Sequence, residues 1–377
     1  MIIKNGNVVL ESGEVKKDIR TENGKIAEIA DNIEKSGEEV YDASGMTVLA
    51  GFIDSHTHGA AGHIYSDTVS DINKITAFEV TEGVTTVAAT MISSTVKNLT
   101  TQINHLMPYI ESGTVGAKIG GIHSEGPFIN PLKKGAMNPE NMVPPSVDDF
   151  KRLYDVCRGH LKIMTLAPEL SGAADVIKEA VKCGVNISAG HTDASYDEMK
   201  RGIDAGVTRM THTFNACRAL NHREPGVLGA ALTDERVSCE VICDFKHLHP
   251  AAVELIYKAK GAKGFTAISD SEFGAGLASG RLEIDGLVRI IKDGLIWLED
   301  GKTIAGSARS IYAAFVNLLS LGVPMHEVSM MVSLNPAKAL GIDKETGSIE
   351  TGKWADLVVV DKELKVVQTF VNGEKQL

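Results

Sequence analysis

Cysteine is scarce in this 377-residue chain, and none of Cys157, Cys183, Cys217, Cys239 and Cys243 falls in a Cys-x-x-Cys pair. An odd number without that spacing argues against a disulfide framework and points to reduced, buried thiols. Positive charge is also short: 38 Lys and Arg face 49 Asp and Glu, a net charge of −11. Basic pairs such as Lys133-Lys134 do not gather into the clusters that nucleic acid or an anionic membrane surface would need. Long apolar runs are missing too, since no window approaches the roughly 18 uncharged apolar residues of a membrane span. Met1-Ile-Ile is followed at once by Lys4 and Asn5, unlike a signal peptide. The expectation is a cytoplasmic protein with neither nucleic-acid nor membrane partner.

What is present changes rhythm twice. Residues 1–48 and 345–377 alternate apolar and polar positions between Asn-Gly and Ser-Gly turns, as in MIIKNGNVVLESGEV and SIETGKWADLVVVD. Such segments read as hairpins, and together they predict one small β-sandwich domain built from both termini. Residues 49–344 instead repeat a short apolar run, a polar end and a helical stretch. Eight runs fit: 48–58, 84–90, 117–125, 163–169, 185–191, 210–215, 237–244 and 264–270. Segments between them, such as SGAADVIKEAVKCG, place apolar residues at i, i+3, i+4 and i+7. Eight strand–helix units with near-continuous apolar strands predict an α/β fold, a closed (β/α)8 barrel. An open doubly wound sheet is the runner-up, weakened because no Gly-x-Gly-x-x-Gly follows the first strand.

In such barrels the chemistry gathers at the C-terminal strand ends. The first strand ends in Asp54-Ser-His56-Thr-His58, the third in His123-Ser-Glu125 and the fifth in His191. The sixth ends in His212-Thr-Phe-Asn215 and the eighth in Asp270. Residues two apart on a strand face the same way, so His56 and His58 can both serve one ion. Imidazole and carboxylate suit zinc, with iron, cobalt or manganese as alternatives. A single histidine on a strand reads as core or surface, but six ligand-type residues on one rim read as a metal site.

The stretches GFIDSHTHG, HSEGPFIN, AGHTDA, THTFNA, REPGVLGAAL, ISD and SLNPAKALGIDKETGSIETGKWADLVVVD run in order through nearly the whole chain. They resemble the amidohydrolase superfamily and, within it, the N-acetylglucosamine-6-phosphate deacetylase family. The resemblance implies that Glu125, His191 and His212 bind the principal metal. His56 and His58 stand where some relatives bind a second metal, so one or two ions per subunit are implied. Asp270 would be the catalytic acid/base. Asn215, the Ala216 backbone, Arg223 and His247 would hold a sugar phosphate, with Arg223 coming from the neighbouring subunit of a homodimer.

Four segments depart from that family. Met137 replaces a histidine that contacts substrate near the acetamide, so a donor is missing unless His123 or another side chain supplies it. His63 follows the HTHG run, Phe245 stands for a glycine before His247, and Glu272 adds a carboxylate after Asp270. The expected substrate is N-acetylglucosamine 6-phosphate. Alternatives are an epimer of it, an N-acyl amino acid or cyclic amide, and, last, a barrel without catalysis.

Overall fold

The computed structural model describes residues 1–284 and 287–376. Eight parallel strands lie side by side in chain order: Phe52–Thr57, Val84–Ile92, Lys118–Glu125, Leu161–Leu166, Asn186–Ala189, Val207–Met210, Ser238–Ile242 and Phe265–Ile268. The ring closes between the eighth strand and the first. There Thr57 bridges Ser271, and Asp270 N–H donates to the His56 carbonyl at 3.0 Å.

Parallel neighbours need crossovers, and a helix fills each one. Helix Ala173–Lys182 buries Ala173, Val176, Ile177 and Ala180, the i, i+3, i+4, i+7 stripe visible in the sequence. The strands it covers are enclosed on both faces, which is why they read as unbroken apolar runs. The barrel, rather than an open sheet, is therefore the fold. No helix among the described residues is long and apolar enough to cross a membrane.

The terminal segments build the second domain. Ile2–Leu10, Gly13–Glu22, Lys25–Ala30, Val40–Asp42, Thr47–Ala50, Leu357–Val360, Val366–Val371 and Glu374–Lys375 hydrogen-bond as one eight-stranded sheet. Its core takes Ile3, Val8, Ile19 and Val48 from one end of the chain and Leu357, Val359 and Phe370 from the other.

Three details differ from the sequence reading. The first predicted strand, 48–58, is two strands: Thr47–Ala50 pairs within the terminal sheet, and the barrel strand starts at Phe52. Gly51 makes the hand-over, because a Cβ there would lie 2.2 Å from Thr85 Cγ2. The sixth strand stops at Met210, and the residues expected to extend it turn instead, with His212, Phe214 and Ala216 at φ of 27°, 78° and 45°. Finally, a four-stranded antiparallel sheet, Gly280–Ile284, Leu287–Lys292, Leu295–Leu298 and Ile304–Ser307, follows the eighth strand, where no sheet was expected.

Gly51→Ala forces a methyl group into Thr85 with no room to move. Overpacking of this kind costs about 1–3 kcal/mol, so the urea midpoint should fall. An unchanged midpoint would show that the crossing between the two sheets is not tight.

Candidate metal centre and its cavity

The barrel delivers six side chains to one spot. Glu125, 2% exposed, ends the third strand, and its Oε1 lies 3.1 Å from His191 Nε2 and 3.0 Å from His212 Nε2. The two imidazole nitrogens are themselves 3.1 Å apart. On the other side, His56 Nε2 lies 3.5 Å from Glu125 Oε1, and His58 Nε2 3.4 Å from Glu125 Oε2. Asp270 Oδ1 faces both, at 3.4 Å from His56 Nε2 and 3.3 Å from His58 Nε2.

Two donor sets share Glu125: His56, His58 and Glu125, and Glu125, His191 and His212, each within 4.8 Å. Ligands about 2.0–2.1 Å from a tetrahedral zinc sit roughly 3.3 Å from one another. The spacing of Glu125, His191 and His212 is close to that edge. The donors also point correctly. The Lys133 carbonyl can only accept, so His191 Nδ1–H donates to it at 2.7 Å, which leaves a lone pair on Nε2 toward Glu125. His56 Nε2 is buried without a hydrogen-bond partner.

Charge tells the same story. Burial alone would lower the His56 imidazole, but Glu125, Asp270 and Glu240 together push it up to about 10. Burial would raise Glu125 and Asp270, yet the surrounding imidazoles hold both carboxyls well below their usual range. Carboxylates gathered in so dry a place demand a cation, and the donor set fits a divalent metal ion.

A cavity of about 240 Å³ opens over these ligands. Glu125, His58, His191, His212 and Asp270 line one end, and Asn215, Ala216, His247 and Met137 share the same walls. Asp244 Oδ2 accepts from His247 Nδ1–H at 2.7 Å, so the opposite nitrogen of that ring is left for a ligand. A larger hollow, about 820 Å³, opens at the other end of the barrel around Thr208, Lys263 and Lys338, away from these donors.

The remaining predicted residues divide. Arg223 is exposed and lies outside this cavity. Of the departures, Glu272 and Met137 line the cavity, whereas His63 and Phe245 do not. His63 Nδ1 accepts the Asp71 N–H at 3.2 Å, and Phe245 holds φ of 58° while packing against the barrel core. His123 turns its Nε2 to Thr165 Oγ1 at 2.8 Å and does not replace the missing donor. Asp54 accepts the backbone N–H of His56 at 3.1 Å and of Ser269 at 3.4 Å, tying the first strand to the eighth. Burial pushes the Cys217 thiol up to about 12, in keeping with a packing role.

Sequence reasoning missed three charged residues. Glu240 and Arg209 stand behind His56; Glu240 is hidden in the apolar run 237–244, and Arg209 precedes the run read as the sixth strand, 210–215. Arg289 enters the cavity from the unexpected antiparallel sheet, beside Ile304 and Ala305. Its segment carries no ligand-type residue that would have drawn notice.

Comparison with known proteins bears on the whole arrangement. The Amidohydrolase family matches residues 47–375. The N-acetylglucosamine-6-phosphate deacetylase of Bacillus subtilis (strain 168) is 33% identical, covering 99% of this chain and 93% of that protein. The N-acetylgalactosamine-6-phosphate deacetylase of Escherichia coli O157:H7 is also 33% identical, over 86% of each. A solved structure of a mutant N-acetyl-D-glucosamine-6-phosphate deacetylase from Mycobacterium smegmatis, in complex with N-acetyl-D-glucosamine-6-phosphate, superposes with a TM-score of 0.93. It is 29% identical, and the match covers 100% of this chain and 99% of that one. The chain belongs to the amidohydrolase family and, within it, to the N-acetylglucosamine-6-phosphate deacetylase family.

Proposed function

We propose that the protein hydrolyses the acetamide of an amino-sugar phosphate, converting N-acetylglucosamine 6-phosphate to glucosamine 6-phosphate and acetate in the cytoplasm. The observation that carries this reading is that one cavity is lined by the groups that both ends of such a substrate would need. Metal donors and Asp270 are at one end, with Asn215, Ala216 and His247 in the same walls.

Glu125, His191 and His212 would hold the principal ion, and His56 and His58, with Glu125, could take a second. A divalent ion bound there, zinc first and iron, cobalt or manganese otherwise, would polarise the amide carbonyl and would bring the pKa of water toward about 7. Asp270 faces the same donors with its carboxyl ionised, ready to take the proton of an attacking water. It then returns that proton to the nitrogen as the C–N bond breaks, since an amide nitrogen leaves poorly without one.

The phosphate is held by the Asn215 side chain, the Ala216 N–H and the outward nitrogen of His247. Arg223, exposed and remote from its own cavity, completes this grip in the neighbouring subunit of a homodimer. A guanidinium offers the bidentate fork that phosphate oxygens accept. Met137 cannot donate to a hydroxyl or carbonyl, so the sugar is read with one contact fewer. The N-acetylgalactosamine-6-phosphate deacetylase relative keeps the epimer as the second reading. A panel of both epimers, an N-acyl amino acid and a cyclic amide separates the candidates by kcat/KM.

Asp270→Asn should lower turnover of N-acetylglucosamine 6-phosphate by about 10²- to 10⁴-fold with metal content unchanged. A variant that keeps most of its turnover would remove Asp270 from the proton transfer. Arg223→Ala should raise KM by roughly 10- to 100-fold, the loss of one charge-assisted contact. Mixing that variant with Asp270→Asn, at substrate well below KM, should restore activity, because a mixed dimer contains one complete site. No restoration would show that Arg223 does not act across subunits.

A further inference from the structure

Arg209, in the sixth strand, and Glu240, in the seventh, lie inside the barrel, 2% and 0% exposed. Arg209 heads the fully buried side chains by volume. Two ions so far from water are costly unless each is paired and hydrogen-bonded. Arg209 Nη2–H donates to Glu240 Oε1 at 2.8 Å, and Glu240 Oε2 lies 3.1 Å from His56 Nδ1. The carboxylate accepts only, so Nδ1 of His56 carries a proton, and in the neutral ring that a metal ion requires the lone pair is on Nε2. That Nε2 faces Glu125 and Asp270 without a hydrogen-bond partner of its own.

The other half of the centre is held differently. His191 is oriented by a neutral backbone carbonyl, Lys133 O, and the Nδ1 of His212 has no hydrogen-bond partner. A charged, paired carboxylate meets the ring of His56 and the ring of neither of these two; the His212 contact with Glu240 Oε2 is a backbone N–H at 3.4 Å.

We propose that Glu240 and Arg209 are positioning residues for the metal centre: acting through Nδ1 of His56, they set how tightly the His56–His58–Glu125 position holds its ion. Glu240 fixes the ring and its tautomer. Arg209 fixes Glu240 and offsets its charge, so the carboxylate can stay ionised in the barrel interior. The device bears most directly on the second ion position, because the ring of His56 meets Glu240 Oε2 at 3.1 Å, whereas His212 reaches it only through its backbone N–H at 3.4 Å. The proposal rests on the metal-centre reading of the site and not on the identity of the substrate.

The test is zinc binding by the full-length protein, loaded with zinc and titrated against a chromophoric chelator. Wild-type protein should release two zinc ions per subunit from two classes of site. In Glu240→Gln the amide cannot accept from both His56 and Arg209. The double variant Arg209→Met, Glu240→Leu replaces the pair with apolar side chains and guards against misfolding from a stranded charge. Both should weaken one class by about 10- to 100-fold, the usual loss when a residue supporting a ligand is removed, while the tighter class is unchanged. Two outcomes overturn the proposal: a single zinc ion per wild-type subunit, or a variant with native melting behaviour and wild-type affinity at both positions. Because the readout is zinc, a failure to hydrolyse the sugar phosphate bears on the substrate and leaves this result intact.

Discussion

One carboxylate oxygen, Glu125 Oε1, sits within 3.0–3.5 Å of nitrogens from His191, His212 and His56. These residues lie in or just beyond four different strands, so the cluster forms only if the ring closes in one register. Asp54 secures that closure by accepting backbone N–H groups from the first and last strands beside His56 and Asp270. The backbone is strained where the strands end. His191, His212 and Asp270 hold φ of 47°, 27° and 51°, a region that costs non-glycine residues about 1–3 kcal/mol each. Such conformations persist because the barrel around them leaves no alternative. The strain turns the side chains inward at the point where the strand pattern would have carried them past the centre.

Much of this was legible in the sequence. His56, His58, Glu125, His191, His212 and Asp270 are visible because each interrupts or ends an apolar run, and barrels concentrate chemistry at such ends. The helices are visible through stripes such as Ala173, Val176, Ile177 and Ala180. Other features leave no pattern. Arg209 lies just ahead of the run read as the sixth strand, 210–215, and only the fold reveals that it meets Glu240. Gly51 looks like any strand glycine until Thr85 is seen against it. The sheet at Gly280–Ser307 has strand-like residues but nothing that announces a part in the cavity.

The walls of the cavity differ in how far they follow the family. The ligands and Asp270 are in place, and so are Asn215, Ala216 and His247. The changes fall on the remaining walls, where Met137, Glu272 and Arg289 bring an apolar side chain and two opposite charges. Burial pushes the Glu272 carboxyl up to about 7, against the pull of His58 and Arg289, so its charge is sensitive to whatever fills the cavity. On the proposed function, hydrolysis would depend on the shared residues and selectivity among N-acylated sugars on these walls. A barrel assembled from strand ends permits this separation, because each loop can change without moving the strand that bears a ligand.

X-ray diffraction from crystals of the active protein, recorded on both sides of a metal absorption edge, tests the metal centre most directly. An anomalous peak about 2.0–2.2 Å from Glu125, His191 Nε2 and His212 Nε2 is the predicted result. Crystals of active protein without such a peak, in which His191 still meets Glu125 at 3.1 Å, would contradict it.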